Sequence, residues 1–461
     1  MLSQTERRER GDMKSIAREH GFLPMRVDGR IPSALEGTLV RTGPGLYERF
    51  GQRVGHSFEA DGALSGVRIR GGRAEGAIRL CQSEGMIAED RAGRALFGPR
   101  ANPVRRIANA LQRRAKNTGN TAMLVWQDRL FALVESNKPL EISPDDLSTR
   151  GETDLGGAIT GSFSAHPHPV MARKATYNFG LDYGRTTSLV LYELPWVGRA
   201  RRVFSLPLPH AVMLHDFAVG PRHAVFFVSP VEINIPRAVF GMTSFGSIID
   251  WKPKHGAEVI VVPLDQPERT SRWTVPAFFQ WHFVGVQERG HELVVSYVHY
   301  DDFSTFDQLA ASGVTKPGRL HAAVIDPIAR TMRSEAIWDG ASEFPVIDPR
   351  FAGADYGEVF VISEREGRRA LARVDLKTGR TRLASLGATE LAAEVVVVPR
   401  DASAPVGDGW GLSLIYDEQR DASHLAIFDT ARWEDGPVAR CHFETHVPMT
   451  FHGTWIPHAR S

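Results

Sequence analysis

Thiols are scarce in this chain. Its 461 residues include two cysteines, Cys81 and Cys441, far apart and each without a neighbour of its kind. That excludes a disulfide framework and a thiolate zinc site, and makes a reducing cytoplasm the expected compartment. Excess charge is missing too: 55 basic and 54 acidic side chains leave a net +1, so bulk electrostatics give no reason to expect a nucleic-acid partner. No run approaches the roughly 18 to 20 apolar residues of a spanning helix. The opening MLSQTERRERGDMKSIAREHG is charged and holds no apolar core of the signal-peptide kind. Secretion and anchoring by a helix are therefore not expected. Long segments of helical period are also rare, so helices should be decorations on something else.

What the chain does contain is short β-prone runs cut by turn residues. They include FALVES (131–136), HAVFFVSP (223–230), AEVIVVPL (257–264), ELVVSYVHY (292–300), EVFVIS (358–363) and GLSLIYD (411–417). Each is rich in Val, Ile, Phe and Tyr and bounded by glycine, proline or polar residues. A weak repeat links LEISPDDLSTRGE, AAVIDPIARTMRSE, ARVDLKTGRTRLA and AIFDTARWEDGPVAR. In the last three, Asp326, Asp375 and Asp429 recur about every fifty residues, the length of one propeller blade. An all-β propeller is the expected fold, with a pair of large β-sandwiches as the alternative. The expected division is an N-terminal extension over 1–28 and one catalytic propeller domain over 29–461.

Two segments depart from this grammar. NPVRRIANALQRRAKN (102–117) sets Val104, Ile107, Ala108 and Leu111 at helical spacing with arginines opposite, a basic amphipathic helix. VEINIPRAVFGMTSFGSIIDWKP (231–253) is an apolar insertion carrying Phe240, Met242, Phe245, Ile248, Ile249 and Trp251. Two readings stand side by side: a surface patch that dips into a bilayer, giving peripheral membrane contact, or a helix and loop packed over the scaffold.

Of seventeen histidines, several sit in short apolar or small-residue settings: His166 in GSFSAHPHPV, His215 in AVMLHDFAV, His282 in FFQWHFVGV and His452 in VPMTFHGTW. Alone, each is read more readily as a hydrogen-bonded core residue than as a ligand. In SAHPHPV the prolines spoil a regular ladder, so pattern does not choose between His166 and His168.

These motifs, in their order, resemble those of the carotenoid cleavage oxygenases, a family of non-haem iron, alkene-cleaving dioxygenases and isomerase relatives. EGTLVRTGPGLYE followed by HSFEADGAL resembles the family's opening signature, with Ala60 and Ala63 in place of its usual glycine and methionine. SAHP, MLHDFAV, WHFVGVQE and TFHGTW resemble its four ligand motifs. The resemblance runs from about residue 29 to the end of the chain. It implies a seven-bladed β-propeller with a helical and loop cap over a metal site, and His166, His215, His282 and His452 as ligands of one iron(II) ion. Glu135, Glu343 and Glu394 would accept hydrogen bonds from three of the ligand rings and leave the fourth without an acidic partner. Thr121 matches a threonine whose methyl group lies near an open metal position. No side chain would act as general acid or base.

The implied reaction uses O2 as co-substrate and cleaves a carbon–carbon double bond of a hydrophobic polyene to two carbonyl products. Stilbene-cleaving members typically carry a lysine before the first of the three glutamates and a tyrosine in the preceding loop. Here Val134 and Arg100 fall near those positions, which favours a carotenoid or apocarotenoid over a stilbenoid. Stilbenoid cleavage on the same iron, non-oxidative isomerisation, and a propeller that only binds are the competing readings.

Overall fold

The computed structural model describes residues 11–135, 137–240, 245–306, 317–365 and 367–458. Seven antiparallel sheets form the blades of a β-propeller. Blade 1 runs from Gly37–Leu46 through Asp61–Arg70 to Arg73–Leu80, and blade 2 comprises Ala122–Trp126, Arg129–Leu133, Leu140–Ile142 and Thr149–Glu152. Blades 3, 4, 5 and 6 are four-stranded meanders whose first strands are His168–Val170, Ala218–Val219, Phe283–Arg289 and Glu343–Val346. Blade 7 runs from Val396–Pro399 through Gly409–Asp417 and Ala422–Asp429 to Pro437–His442.

Both ends of the described chain close the ring. Gly453–Pro457 pairs with Gly37–Leu46 and becomes the inner strand of blade 1, while Arg26–Gly29 pairs with Pro437–His442 at the rim of blade 7. His20–Pro24 adds a rim strand to blade 1. Residues 20–29, almost all of them within the stretch assigned from sequence to an N-terminal extension, are thus built into two blades. Full closure removes the open edge that a sheet protein otherwise has to protect.

The strands read as near-continuous apolar runs because each blade is covered on both faces. In the second strand of blade 6, Glu358–Arg365, Val359 and Val361 face blade 5 and pack with Val284 and Leu320, whereas Phe360 faces blade 7 and packs with Val397 and Trp433. The period of two sends alternate residues to different interfaces, both apolar, so the usual inside–outside alternation disappears. One hydrophobic cluster fills each interface around the ring, from blades 1 and 2 to blades 7 and 1.

The repeating aspartates have one local cause. Asp326, Asp375 and Asp429 each end the third strand of blades 5, 6 and 7, and their carboxylates accept from backbone N–H groups two or three residues on, at 2.8–3.1 Å. These are Asx turns that start the return to the rim strand.

The amphipathic helix spans Pro103–Leu111, shorter than the 102–117 expected, with the Asn102 side chain capping the Arg105 N–H at 2.9 Å. It packs against the helix Ile235–Phe240 of the insertion. Val104 and Leu111 are 79% and 73% exposed. Ile249 and Trp251 instead turn inward onto the cluster of Met213, Phe279 and Phe303. Met242 and the side chains of Phe240 and Phe245 lie outside the described residues.

Candidate metal centre

The seven inner strands start on one face of the propeller, and the residues picked out by motif stand at those starts. Thr121, His166, His215, His282, Glu343, Glu394 and His452 each lie within three residues of the first residue of an inner strand, one from each blade. Antiparallel meanders put every inner strand in the same direction, so seven strand starts become one ring of side chains around the axis. Glu135 comes from a different place, just after the second strand of blade 2.

Four imidazoles meet on the axis. The candidate donor atoms of His166, His215, His282 and His452 lie within 4.8 Å of one another. Nε2 of His166 and Nε2 of His215 are 2.9 Å apart. Two donors at right angles around an ion, each ~2.1 Å from it, would stand ~3.0 Å apart. Ring centroids of His166 lie 4.4, 5.3 and 4.7 Å from those of His215, His282 and His452, and His282 lies 5.2 and 5.0 Å from His215 and His452. These are five close pairs, the number of right-angle pairs that four ligands make around an octahedron with two adjacent corners open. Nε2 of His282 is buried with no hydrogen-bond partner, an unsatisfied lone pair that a cation would engage. The donor set therefore fits a divalent transition metal, imidazole being suited to iron, zinc, copper and nickel alike.

Carboxylates stand behind three of the rings. His452 Nδ1 donates to Glu394 Oε1 at 2.7 Å, and His282 Nδ1 donates to Glu343 Oε2 at 2.5 Å. Glu135 pairs with Nδ1 of His215. Holding the proton on Nδ1 leaves each Nε2 lone pair facing the axis. Among the described residues His166 has no such partner at hydrogen-bond distance; its Nδ1 is 4.0 Å from Asp216 Oδ1. His168 does not reach the axis, and its Nε2 bonds Asp216 Oδ1 at 2.7 Å instead.

Burial and neighbouring charges act differently on the rings. Burial, and after it the three neighbouring imidazoles, hold His166 well below the ordinary histidine range, so it is neutral as a ligand must be. Burial also lowers His452, against the pull of Glu394. For His282 burial is outweighed by Glu343, and its pKa is raised. Burial works to raise Glu343 and Glu394, but His282 and His452 respectively hold both carboxyls below their usual value.

Several further residues support the centre without having stood out in the sequence. Arg41, buried in the inner half of blade 1, donates from Nε to Thr450 Oγ1 at 2.9 Å, from Nη1 to the Glu394 carbonyl at 2.9 Å and from Nη2 to the Phe451 carbonyl at 2.8 Å. It also lies 3.7 Å from Glu394 Oε2. One guanidinium thus ties the segment before His452 to blades 1 and 7. Gly453 has to be glycine for this, since a Cβ there would stand 2.7 Å from Arg41 Cγ. Asp216 accepts from the Phe217 and Phe283 N–H groups, both at 2.7 Å, and so fastens the His215 segment to the His282 segment. Tyr300 donates to Glu343 Oε1 at 2.6 Å. Phe344 takes a left-handed backbone at φ 50°, costing ~1–3 kcal/mol, and its ring lies 5.0 and 5.2 Å from those of His282 and His452. Arg41 and Asp216 did carry a signal, a charged residue inside an apolar strand run, but nothing in the sequence names their partners.

A cavity of about 330 Å³ opens from the centre. His215, His282, His452 and Thr121 line its inner end, and Phe58, Trp281, Phe344, Phe451, Ile362 and Leu391 line its walls. The Thr121 hydroxyl donates to Asn120 Oδ1 at 3.1 Å. Trp281 donates from Nε1 to Thr305 Oγ1 at 2.7 Å and stands edge-on to His215.

Four imidazoles at the head of an apolar cavity make an arrangement that could hold one divalent metal ion beside a hydrophobic ligand. The chain belongs to the carotenoid cleavage oxygenase family: the family described as retinal pigment epithelial membrane protein matches residues 13–457. It is 30% identical over 454 residues to apocarotenoid-15,15'-oxygenase of Synechocystis, covering 93% of this chain and 92% of that one. It is 26% identical to resveratrol cleavage oxygenase 1 of Aspergillus fumigatus, covering 97% and 94%. Cobalt-substituted apocarotenoid oxygenase of Synechocystis superposes with a TM-score of 0.89 at 29% identity over 99% of both chains. The chain is an enzyme of this alkene-cleaving oxygenase class.

Proposed function

We propose that His166, His215, His282 and His452 hold one iron(II) ion, and that with O2 as co-substrate the enzyme cleaves one carbon–carbon double bond of a carotenoid or apocarotenoid into two carbonyl products. The observation that carries this reading is the four-imidazole centre at the inner end of an apolar cavity. When bound, the iron supplies the activation of O2 that a singlet alkene does not undergo unaided.

The chain's own residues supply geometry. Glu135, Glu343 and Glu394 fix tautomer and ring direction and offset the charge of an ion held by neutral donors. Thr121 narrows one approach to the centre with an apolar group. The aromatic walls keep water out and set how far a polyene advances, hence which bond lies at the iron. Exposed Val104 and Leu111, beside the arginines of the helix Pro103–Leu111, support peripheral contact with the lipid phase from which such a substrate is drawn.

The test is anaerobic reconstitution with iron(II), then ¹⁸O2 and a panel of apocarotenals and hydroxystilbenes. Paired carbonyl products from an apocarotenal, with label incorporated, are expected. Cleavage confined to stilbenes would move the substrate to the stilbenoid reading, and an isomerised product without label would overturn the oxygenase.

A further inference from the structure

A second group of metal-type ligands stands away from the axis, on the insertion of blade 4. His210, Glu232 and His255 bring their donor atoms within 4.8 Å of one another. They come from three segments that the backbone locks together. His210 lies in the connector from blade 3 to blade 4. The residues after it pair with the start of the insertion: Ile233 N–H donates to the Ala211 carbonyl at 2.7 Å, Met213 N–H to the Val231 carbonyl at 2.8 Å, and Val212 bridges Glu232. The strand Val231–Ile233 pairs in turn with Ile249–Trp251, whose continuation returns as the short helix Pro253–His255. Each ligand is thus placed by backbone hydrogen bonds close by, although the three span 45 residues of sequence.

The chemistry is that of a borderline divalent ion. His255 Nδ1 and Glu232 Oε1 are hydrogen-bonded at 2.5 Å, closer than the ~3.4 Å of two donors on one tetrahedral ion, so an ion would replace the shared proton and part the two atoms; the His210 and His255 rings lie 5.3 Å apart and 22° from parallel. Two imidazoles on one tetrahedral ion, with nitrogens ~2.1 Å from it, put their ring centroids ~5.2 Å apart. Two imidazoles and one carboxylate make up a three-ligand set that leaves a tetrahedral ion one position for water. Lys252 on this hairpin is engaged by Asp250 at 3.6 Å, and Lys254 stands next to His255 in the short helix. His255 is half exposed and Glu232 largely covered, so the ion would load from solvent onto an oriented carboxylate.

We propose that His210, Glu232 and His255 form a second metal site, separate from the four-histidine centre, that takes zinc or a similar divalent transition ion. Its place gives it a task. An ion there joins the blade 3–4 connector, which runs on to His215 five residues later, to the base of the insertion whose helix packs against Pro103–Leu111. Occupancy clamps the insertion to the propeller.

The test uses the iron-loaded full-length enzyme dialysed against zinc, with zinc and iron both counted per chain by mass spectrometry. One zinc per chain beyond the retained iron is expected. His255→Ala and His210→Ala should each weaken zinc binding by at least ~10-fold, since even loss of a group outside the ligand set costs that much at metal sites, and Glu232→Gln should do the same. All three variants should keep their iron. Because these side chains are at or near the surface, the variants should also keep the wild-type unfolding temperature in metal-free buffer, and only wild type should gain stability from zinc. The proposal fails if wild type takes up no zinc beyond its iron, if zinc enters only as iron leaves, or if the variants bind zinc as wild type does.

Discussion

Replacing Arg41 with methionine probes how the centre is held together. The guanidinium makes three hydrogen bonds of 2.8–2.9 Å to Thr450, Phe451 and Glu394, and stands 3.7 Å from the Glu394 carboxylate. Methionine fills much of the space and makes none of these bonds. Each hydrogen bond from a charged donor is worth ~1.5–3 kcal/mol. Against their sum stands the relief of no longer burying a guanidinium, and for broken buried pairs the balance is ~3–5 kcal/mol of lost stability. The loss falls on the segment carrying His452, so Arg41→Met should lower both the urea midpoint and iron affinity while leaving the far-UV circular dichroism of the folded state unchanged. Arg41→Lys keeps the charge but not the fork that reaches three acceptors, and should fall between. If Arg41→Met unfolds within ~1 kcal/mol of wild type and retains one iron per chain, the clamp described above does not exist.

Three further outcomes follow from groups around the ring. Burial works to raise Glu288, but His223, Arg222 and their backbone N–H groups bring its pKa down to about 2. Since this folded value lies below the unfolded one of ~4.3, the stabilisation is present above pH ~4.3 and is lost as pH falls toward 2; with Arg222 exposed to screening solvent it amounts to ~1–3 kcal/mol over that window, and Glu288→Gln should lose that part of the pH dependence while the other carboxyls keep theirs. Tyr300→Phe removes the 2.6 Å bond to Glu343 Oε1 and should weaken iron binding ~10-fold or more without changing the fold, read by competition with a chelator. Cys81 and Cys441 are free and buried, and burial pushes both thiols up to about 12, so a thiol reagent should react with neither until the protein is unfolded.

The fold was legible because its unit repeats. Short apolar runs and the aspartates at 326, 375 and 429 reported blades directly, since each aspartate performs the same turn. The candidate residues of the centre were legible only through the family resemblance of their motifs taken together, since each histidine alone reads as a core residue; with one inner strand per blade, the order of those motifs along the chain becomes order around the axis. Arg41, Asp216 and Tyr300 were not legible in this way. Arg41 meets Glu394 and Thr450 across 353 and 409 residues, and those pairings exist only once the C-terminal strand enters blade 1. His166 and His168 could not be separated by pattern because a proline interrupts the ladder between them; in the structure His168 bonds the carboxylate of Asp216 instead of joining the centre. The amphipathic helix was expected over 102–117 but stops at Leu111, where the chain turns through Arg113 at φ 53°.

The central claim is that four histidines from four blades hold one iron. The most direct measurement is iron per chain after anaerobic reconstitution and desalting, for wild type and for His452→Ala. Wild type should carry one iron and His452→Ala close to none, with the β-sheet spectrum of the variant intact. One iron per chain in the variant would contradict the account.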